Sequence, residues 1–161
     1  MGKTALAVLW AHRAAGRFPD GQLYVNLCGD DPDRPVASAD ALAGLLRALG
    51  VPGTDVPDGV EDRAWLYRSR LAGRRVLVLL DNARDAEQVR PLLPGDPGCA
   101  AVVTNRDALA GLVATGGARR LDLDLLPLAD AVALLQSLIG GRANDDPEAT
   151  PALAGLCTRL P

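Results

Sequence analysis

The spacing of apolar and polar positions along the chain switches between the period of a helix and the period of a strand. Residues 4–15 are good helix formers, and Gly16, Pro19 and Gly21 end the run. Residues 22–27 read as a short buried strand. After a polar, proline-containing loop over residues 30–35, Ser38 is placed to cap a helix whose Leu42, Leu45, Leu46 and Leu49 recur on one face. Gly50 and Pro52 close it. Asp58 and Glu61 have the spacing of a capping box, and Val60, Ala64, Tyr67 and Leu71 give the next helix its apolar stripe, up to Gly73.

Residues 75–80 form an unbroken aliphatic run ending at Asp81, the pattern of a parallel strand covered on both faces. A helix over residues 85–92 and a turn region rich in Pro and Gly lead to a second buried strand over residues 100–104. Residues 107–113 predict a short helix. Leu121, Leu123 and Leu125 alternate with Asp122 and Asp124, the period of a further, half-exposed strand. Strands alternating with helices predict a doubly wound parallel α/β sheet. Beyond Pro127 the strand signal stops. Residues 128–139 are helical, Gly140-Gly141 ends them, and Asp146-Pro147 can cap and open a last helix running through residue 156. Two domains are expected: an α/β domain over residues 1–126 and the beginning of a small helical one over residues 127–161.

Composition narrows the function classes. The 161 residues are 48% hydrophobic, which suits a globular core, and 17 basic against 20 acidic side chains leave a formal charge of -3. No basic stripe follows any predicted element, so direct nucleic-acid binding by this segment is not expected. The absence of a membrane-length apolar run or a signal-peptide pattern predicts a cytoplasmic chain with no membrane partner. Cys28, Cys99 and Cys157 have no paired spacing and suggest neither a disulfide framework nor a zinc site. With His12 the only histidine, a Ser-His-Asp or histidine-based metal site is not expected. Trp10 and Trp65 read as packing residues, and Arg74-Arg75 and Arg119-Arg120 as solvated flanks.

Candidate chemistry gathers at three places. Gly2-Lys3-Thr4, opening a helix, has the form of the back half of the phosphate-binding pattern GxxxxGK[ST]. There backbone N–H groups cradle the β-phosphate, Lys reaches the β/γ-phosphates and the Thr hydroxyl ligates magnesium. Sixteen of the 17 basic residues are Arg and the single Lys is Lys3, where a compact ammonium fits between phosphates better than a planar guanidinium. The aliphatic run ending at Asp81 has the form of a Walker B strand, whose acid holds magnesium through water. Thr4 and Asp81 are therefore the candidate metal ligands and Asp81 the candidate catalytic group. Asn82 stands where a second acid would orient or deprotonate water; an amide is no general base, so the chain is expected to be at most a slow ATPase. Thr104-Asn105-Arg106 closes the next strand at the same sheet edge, where ligands of open α/β sheets bind, and Arg106 can meet a γ-phosphate with two parallel hydrogen bonds.

Together the segments GKTALAV, FPDGQLYVNL, LYRSRLAGRRVLVLLDNARDAEQVRPLLPG, CAAVVTNRDAL and CTRLP resemble the NB-ARC domain of STAND-class P-loop ATPases, most closely in bacterial transcriptional regulators of the SARP/AfsR type. The resemblance covers nearly the whole chain. It implies a P-loop NTPase fold, ADP or ATP with Mg2+ as ligands, and a parent protein with an attached DNA-binding output region, often helical repeats, and a capacity to oligomerise. By position it implies Gly2, Lys3 and Thr4 in the phosphate loop, Asp81 as the Walker B acid, Arg106 as the sensor arginine, and Leu160-Pro161 as the start of a GLPL element whose proline packs on adenine. Arg159 stands where Gly is usual in that element, and Asn105 where Ser or Thr is common. The upstream glycines of the loop and the strand before them are not in this sequence, and Met1 fits the variable position just before Gly-Lys-Thr, as an internal residue would. The expected function is an ADP/ATP-binding switch module that controls an attached output domain. A P-loop enzyme such as a small-molecule kinase, and a non-functional gene fragment, are the alternatives.

Overall fold

The computed structural model describes residues 2–31, 35–106, 109–140 and 149–156. The chain divides into two compact units, a larger one, Lys3–Arg120, and a smaller one that takes residues 1–2 and the chain from Leu121 on.

The larger unit is a mixed α/β structure built on a parallel sheet of three strands, in the order β1 (Gln22–Asn26), β2 (Leu77–Ala83), β3 (Ala100–Asn105). Tyr24 lies opposite Leu79 and Asn26 opposite Asp81; on the other side Leu79 lies opposite Val102. Parallel neighbours require crossover connections, and helices supply them. Helix α1 (Lys3–Ala14) precedes β1, α2 (Ser38–Ala48) and α3 (Val60–Leu71) join β1 to β2, and α4 (Ala86–Val89) with a single 3₁₀ turn joins β2 to β3. Helix α5 (Ala110–Gly116) follows β3.

Alternation along the strands sends neighbouring residues to opposite faces. Val76, Val78 and Leu80 enter a core with Leu27, Leu42, Leu45, Leu46, Tyr67 and Leu71, the last five from the apolar stripes of α2 and α3. Each of these fully buried aliphatic side chains contributes about 1.5–3 kcal/mol, so this face carries most of the stability. The opposite face holds Leu77, Leu79 and Asp81 beneath α1, whose buried stripe is Ala7, Ala11 and Ala14. Three small residues at helical spacing let the α1 backbone come close to β2 and β3.

Several expectations are corrected. Strand β1 is not buried: Gln22, Tyr24 and Asn26 are exposed and only Leu23 and Val25 are partly covered, because β1 is an edge of the described sheet and α1 packs over β2 and β3. Ser38 does not cap α2. It is the first helical residue, Ala37 holds the cap position, and the Ser38 hydroxyl donates to the Gln88 carbonyl at 2.9 Å. No capping box forms at Asp58 and Glu61, since α3 begins at Val60 and Gly59 occupies the cap. Asp85 does cap α4, accepting from the Gln88 N–H at 2.8 Å. Residues 121–125 form no strand: Leu121 and Leu125 lie exposed, because alternation is a local signal and a strand also needs a ladder partner.

In the smaller unit α6 (Leu128–Ile139) and α7 (Ala149–Leu156) pack on each other and bury Ala131, Thr150 and Ala154. Asp146, Pro147, Arg159, Leu160 and Pro161 lie outside the described residues. No helix of the described residues is long and apolar enough to cross a membrane.

Candidate functional site

Thr4 sits in the first turn of α1, and Asp81 lies where β2 approaches its carboxyl end. The Thr4 hydroxyl donates to Asp81 at 2.8 Å to Oδ1 and 3.1 Å to Oδ2. This contact sets the first turn of α1 against the carboxyl ends of parallel strands, the edge where open α/β sheets take up ligands. The same turn has backbone N–H groups that the helix itself leaves unpaired and the positive end of the helix dipole, and it carries no acidic residue of its own. Lys3 leads the helix, half-buried and without an ion pair among the described residues. Gly2, before it, has φ 83°, a conformation that a side chain would strain.

Asp81 is only 4% exposed, and it receives two more hydroxyls: Tyr24 Oη donates at 3.2 Å and Thr104 Oγ1 also donates to Oδ1. A buried carboxylate has to be paired or hydrogen-bonded. Among the described residues no salt bridge reaches Asp81, so hydroxyls alone satisfy it. Partial burial and the neighbouring Asp81 carboxylate hold the Tyr24 phenol above its ordinary pKa. Tyr24 faces Asp81 because the β1–β2 register pairs it with Leu79, two residues earlier on the same face.

Asn82 breaks the regularity of β2, with φ 55° and an irregular register between Leu80 and Ala83. Asparagine tolerates this left-handed backbone better than most residues. Its N–H donates to Thr104 Oγ1 at 2.9 Å, so that one hydroxyl accepts from Asn82 while donating to Asp81. The Asn82 side chain donates to Asp30, and Arg106 Nη2 donates to the same carboxylate at 2.9 Å. A polar chain thus runs from Thr4 through Asp81, Thr104, Asn82 and Asp30 to Arg106. Thr4 and Asp81 meet directly, whereas Arg106 reaches them only through intermediates.

Thr4 and Asp81 offer oxygen donors only, the set that a hard divalent cation takes. Magnesium uses one or two carboxylates and completes its shell with water and phosphate oxygens, so these two residues fit it. Among the described residues no group of three or more His, Cys, Asp or Glu side chains forms an all-protein metal cage. Cys99 donates to the Arg74 carbonyl at 3.3 Å, a packing role consistent with its sequence spacing.

Two members of the network escaped the reading of the sequence. Tyr24 was visible in principle, since Gln22, Tyr24 and Asn26 alternate with Leu23 and Val25. Asp30 was not: no local pattern directs an acid in a polar loop to an arginine 76 positions later.

Fold and site together define a mixed α/β protein with a three-stranded parallel sheet and a buried, hydroxyl-bonded acid near the carboxyl ends of its strands. Over its whole length the chain is similar to two curated proteins, each named Regulatory protein AfsR. It is 51% identical over 162 residues to the one from Streptomyces coelicolor and 47% identical over 162 residues to the one from Streptomyces griseus. All of the chain is matched in both, but it spans only 16% of the length of either relative. No protein-family model matches the chain, and no solved structure matches it.

Proposed function

We propose that this chain is the nucleotide-binding segment of a transcriptional regulator, an NB-ARC-type P-loop switch whose ADP or ATP state controls an attached output domain. The observation that carries the reading is the hydrogen bond from Thr4 at the start of α1 to the buried Asp81 near the end of β2. It joins the two residues that such a switch uses for magnesium, at a helix start suited to phosphate. The similarity to regulatory proteins supports the regulatory half of the proposal.

In this reading the α/β domain is residues 1–126 and the helical ARC-type part begins at residue 127. Gly2 and the first N–H groups of α1 hold phosphate oxygens, Lys3 adds a point charge, and Thr4 and Asp81 present oxygens to the cation. Magnesium, when bound, neutralises phosphate charge. Arg106 reads the terminal phosphate, and the assignment of Pro161 to adenine rests on the resemblance to NB-ARC domains alone. Asn82 engages Asp30 through its amide and offers no base, so hydrolysis is slow or absent. The module works in the cytoplasm, alongside output and repeat regions of the longer regulator.

Binding to the chain by calorimetry tests this. Mg·ADP is expected to bind, and Lys3→Ala is expected to weaken it by about 10- to 100-fold, the value of one charge-assisted contact. Asp81→Asn is expected to abolish the magnesium dependence. A folded chain that binds neither ADP nor ATP, or binding that Lys3→Ala leaves unchanged, would overturn the proposal.

A further inference from the structure

The Arg106 guanidinium is not idle at the strand end. It is 75% exposed as a side chain, yet its Nη2 is paired to Asp30 at 2.9 Å. Asp30 is held in place to receive it. The preceding Gly29 N–H donates to the Asn82 carbonyl at 2.7 Å. A Cβ on Gly29 would lie 2.6 Å from both Ala83 C and Asn82 O, and would collide with Arg84 N as well. Only glycine lets the loop press so closely on the backbone after Asp81. On the other side of the carboxylate the Asn82 amide donates, and this bond, more than the arginine, keeps Asp30 below the ordinary carboxylate pKa. Asn82 is fixed in turn by its N–H bond to Thr104, which also serves Asp81.

We infer that Asp30 is a specificity-determining residue: its carboxylate competes with the terminal phosphate of a nucleoside triphosphate for Arg106, and so weights the site toward the diphosphate. The inference rests on the nucleotide reading above. Carboxylate and phosphate present similar forks of oxygen to a guanidinium. The Nη2 that points at Asp30 cannot point at a phosphate as well, so a ligand reaching Arg106 has to displace Asp30 or share its charge. A diphosphate that stops short of Arg106 leaves the pair intact. The ligand shifts the site only by this difference between the two arrangements.

The size of the effect follows from exposure. Solvent-exposed pairs of this kind shift affinity by only about 1.4- to 5-fold. Because the Asn82 amide already orients Asp30, less side-chain entropy is spent in forming the pair, and the upper part of that range is expected.

The test is calorimetric titration of the 161-residue chain with Mg·ADP and with a non-hydrolysable Mg·ATP analogue. Asp30→Asn is expected to raise the ratio of triphosphate to diphosphate affinity by about 2- to 5-fold. Asp30→Ala, which also deletes the Asn82 contact, is expected to move the ratio in the same direction. In an Arg106→Ala background the Asp30 substitutions are expected to have no effect on the ratio. If both nucleotides bind and neither Asp30 variant changes their ratio, the competition is refuted and the nucleotide reading stands. If the folded parent chain binds neither nucleotide, both fall together.

Discussion

On one face of β2, Val76, Val78 and Leu80 are sealed in the core with residues from α2 and α3. On the other face, Leu77 and Leu79 lead to Asp81, which Thr4, Tyr24 and Thr104 bond through hydroxyls. One strand serves both, because successive residues point opposite ways. The apolar face is held by contacts that need volume but little direction, so residues of similar size can replace one another there. The polar face needs each hydroxyl at hydrogen-bond distance from one carboxylate, and a shift of one residue in register would turn Asp81 into the core. Stability and chemistry are thus assigned to alternate positions of the same segment.

The largest effect that can separate the faces is a cavity in the apolar one. Leu80→Ala removes a fully buried side chain from the central strand and is expected to cost about 2–5 kcal/mol, read from urea unfolding. The polar network next to it should survive while the chain stays folded, so under the proposed function the folded variant is expected to match the parent chain in a nucleotide titration. A cost below about 1 kcal/mol would show that this face does not carry the stability assigned to it.

A smaller effect is expected on the polar face. Tyr24→Phe deletes one of the three hydroxyls on Asp81 and leaves Thr4 and Thr104 in place. A hydrogen bond to a charged group is worth about 1.5–3 kcal/mol when buried, but Tyr24 is 55% exposed, so about 1 kcal/mol is expected. Because the phenol is held above its ordinary value of 10.0, its contribution is complete at neutral pH and is lost only as the pH climbs past that value. Unfolding of parent and variant should therefore differ at pH 7 and converge in strong alkali. An unchanged stability at pH 7 would mean that the Tyr24 bond contributes nothing.

How much of this was legible in the sequence depends on how local the cause is. The aliphatic run before Asp81, the stripes of α2 and α3 and the helix starting at Gly2-Lys3-Thr4 are properties of short segments, and they were readable. So was the pairing of helix start and strand end, because β2 has to be central to bury both of its faces. The second half of the site was not. Tyr24 becomes a partner of Asp81 only once the β1–β2 register is set, and Asp30 meets Arg106 only because Gly29 lets its loop lie against the backbone of residues 82–84. Leu121, Leu123 and Leu125 show the converse failure: a strand-like period without a neighbouring edge made no strand.

The smallest effect gives the sharpest contrast, because it sets a second tyrosine against the first. Tyr67 in α3 is fully buried, and among the described residues its hydroxyl has no hydrogen-bond partner, whereas the half-exposed Tyr24 has one. Burial alone would predict the reverse. Burial pushes the Tyr67 phenol well above its ordinary range, so it is neutral at any working pH. Its ring fills the core, and its hydroxyl bears a desolvation cost that no bond offsets. Tyr67→Phe keeps the ring and removes that cost, so it is expected to be neutral or to stabilise by up to about 1 kcal/mol in urea unfolding. The two Tyr→Phe substitutions would then have opposite signs, with the more buried hydroxyl the more dispensable. A loss of 1 kcal/mol or more at Tyr67 would mean that its hydroxyl is satisfied, and that the core around α3 is held by a directional bond as the Asp81 face is.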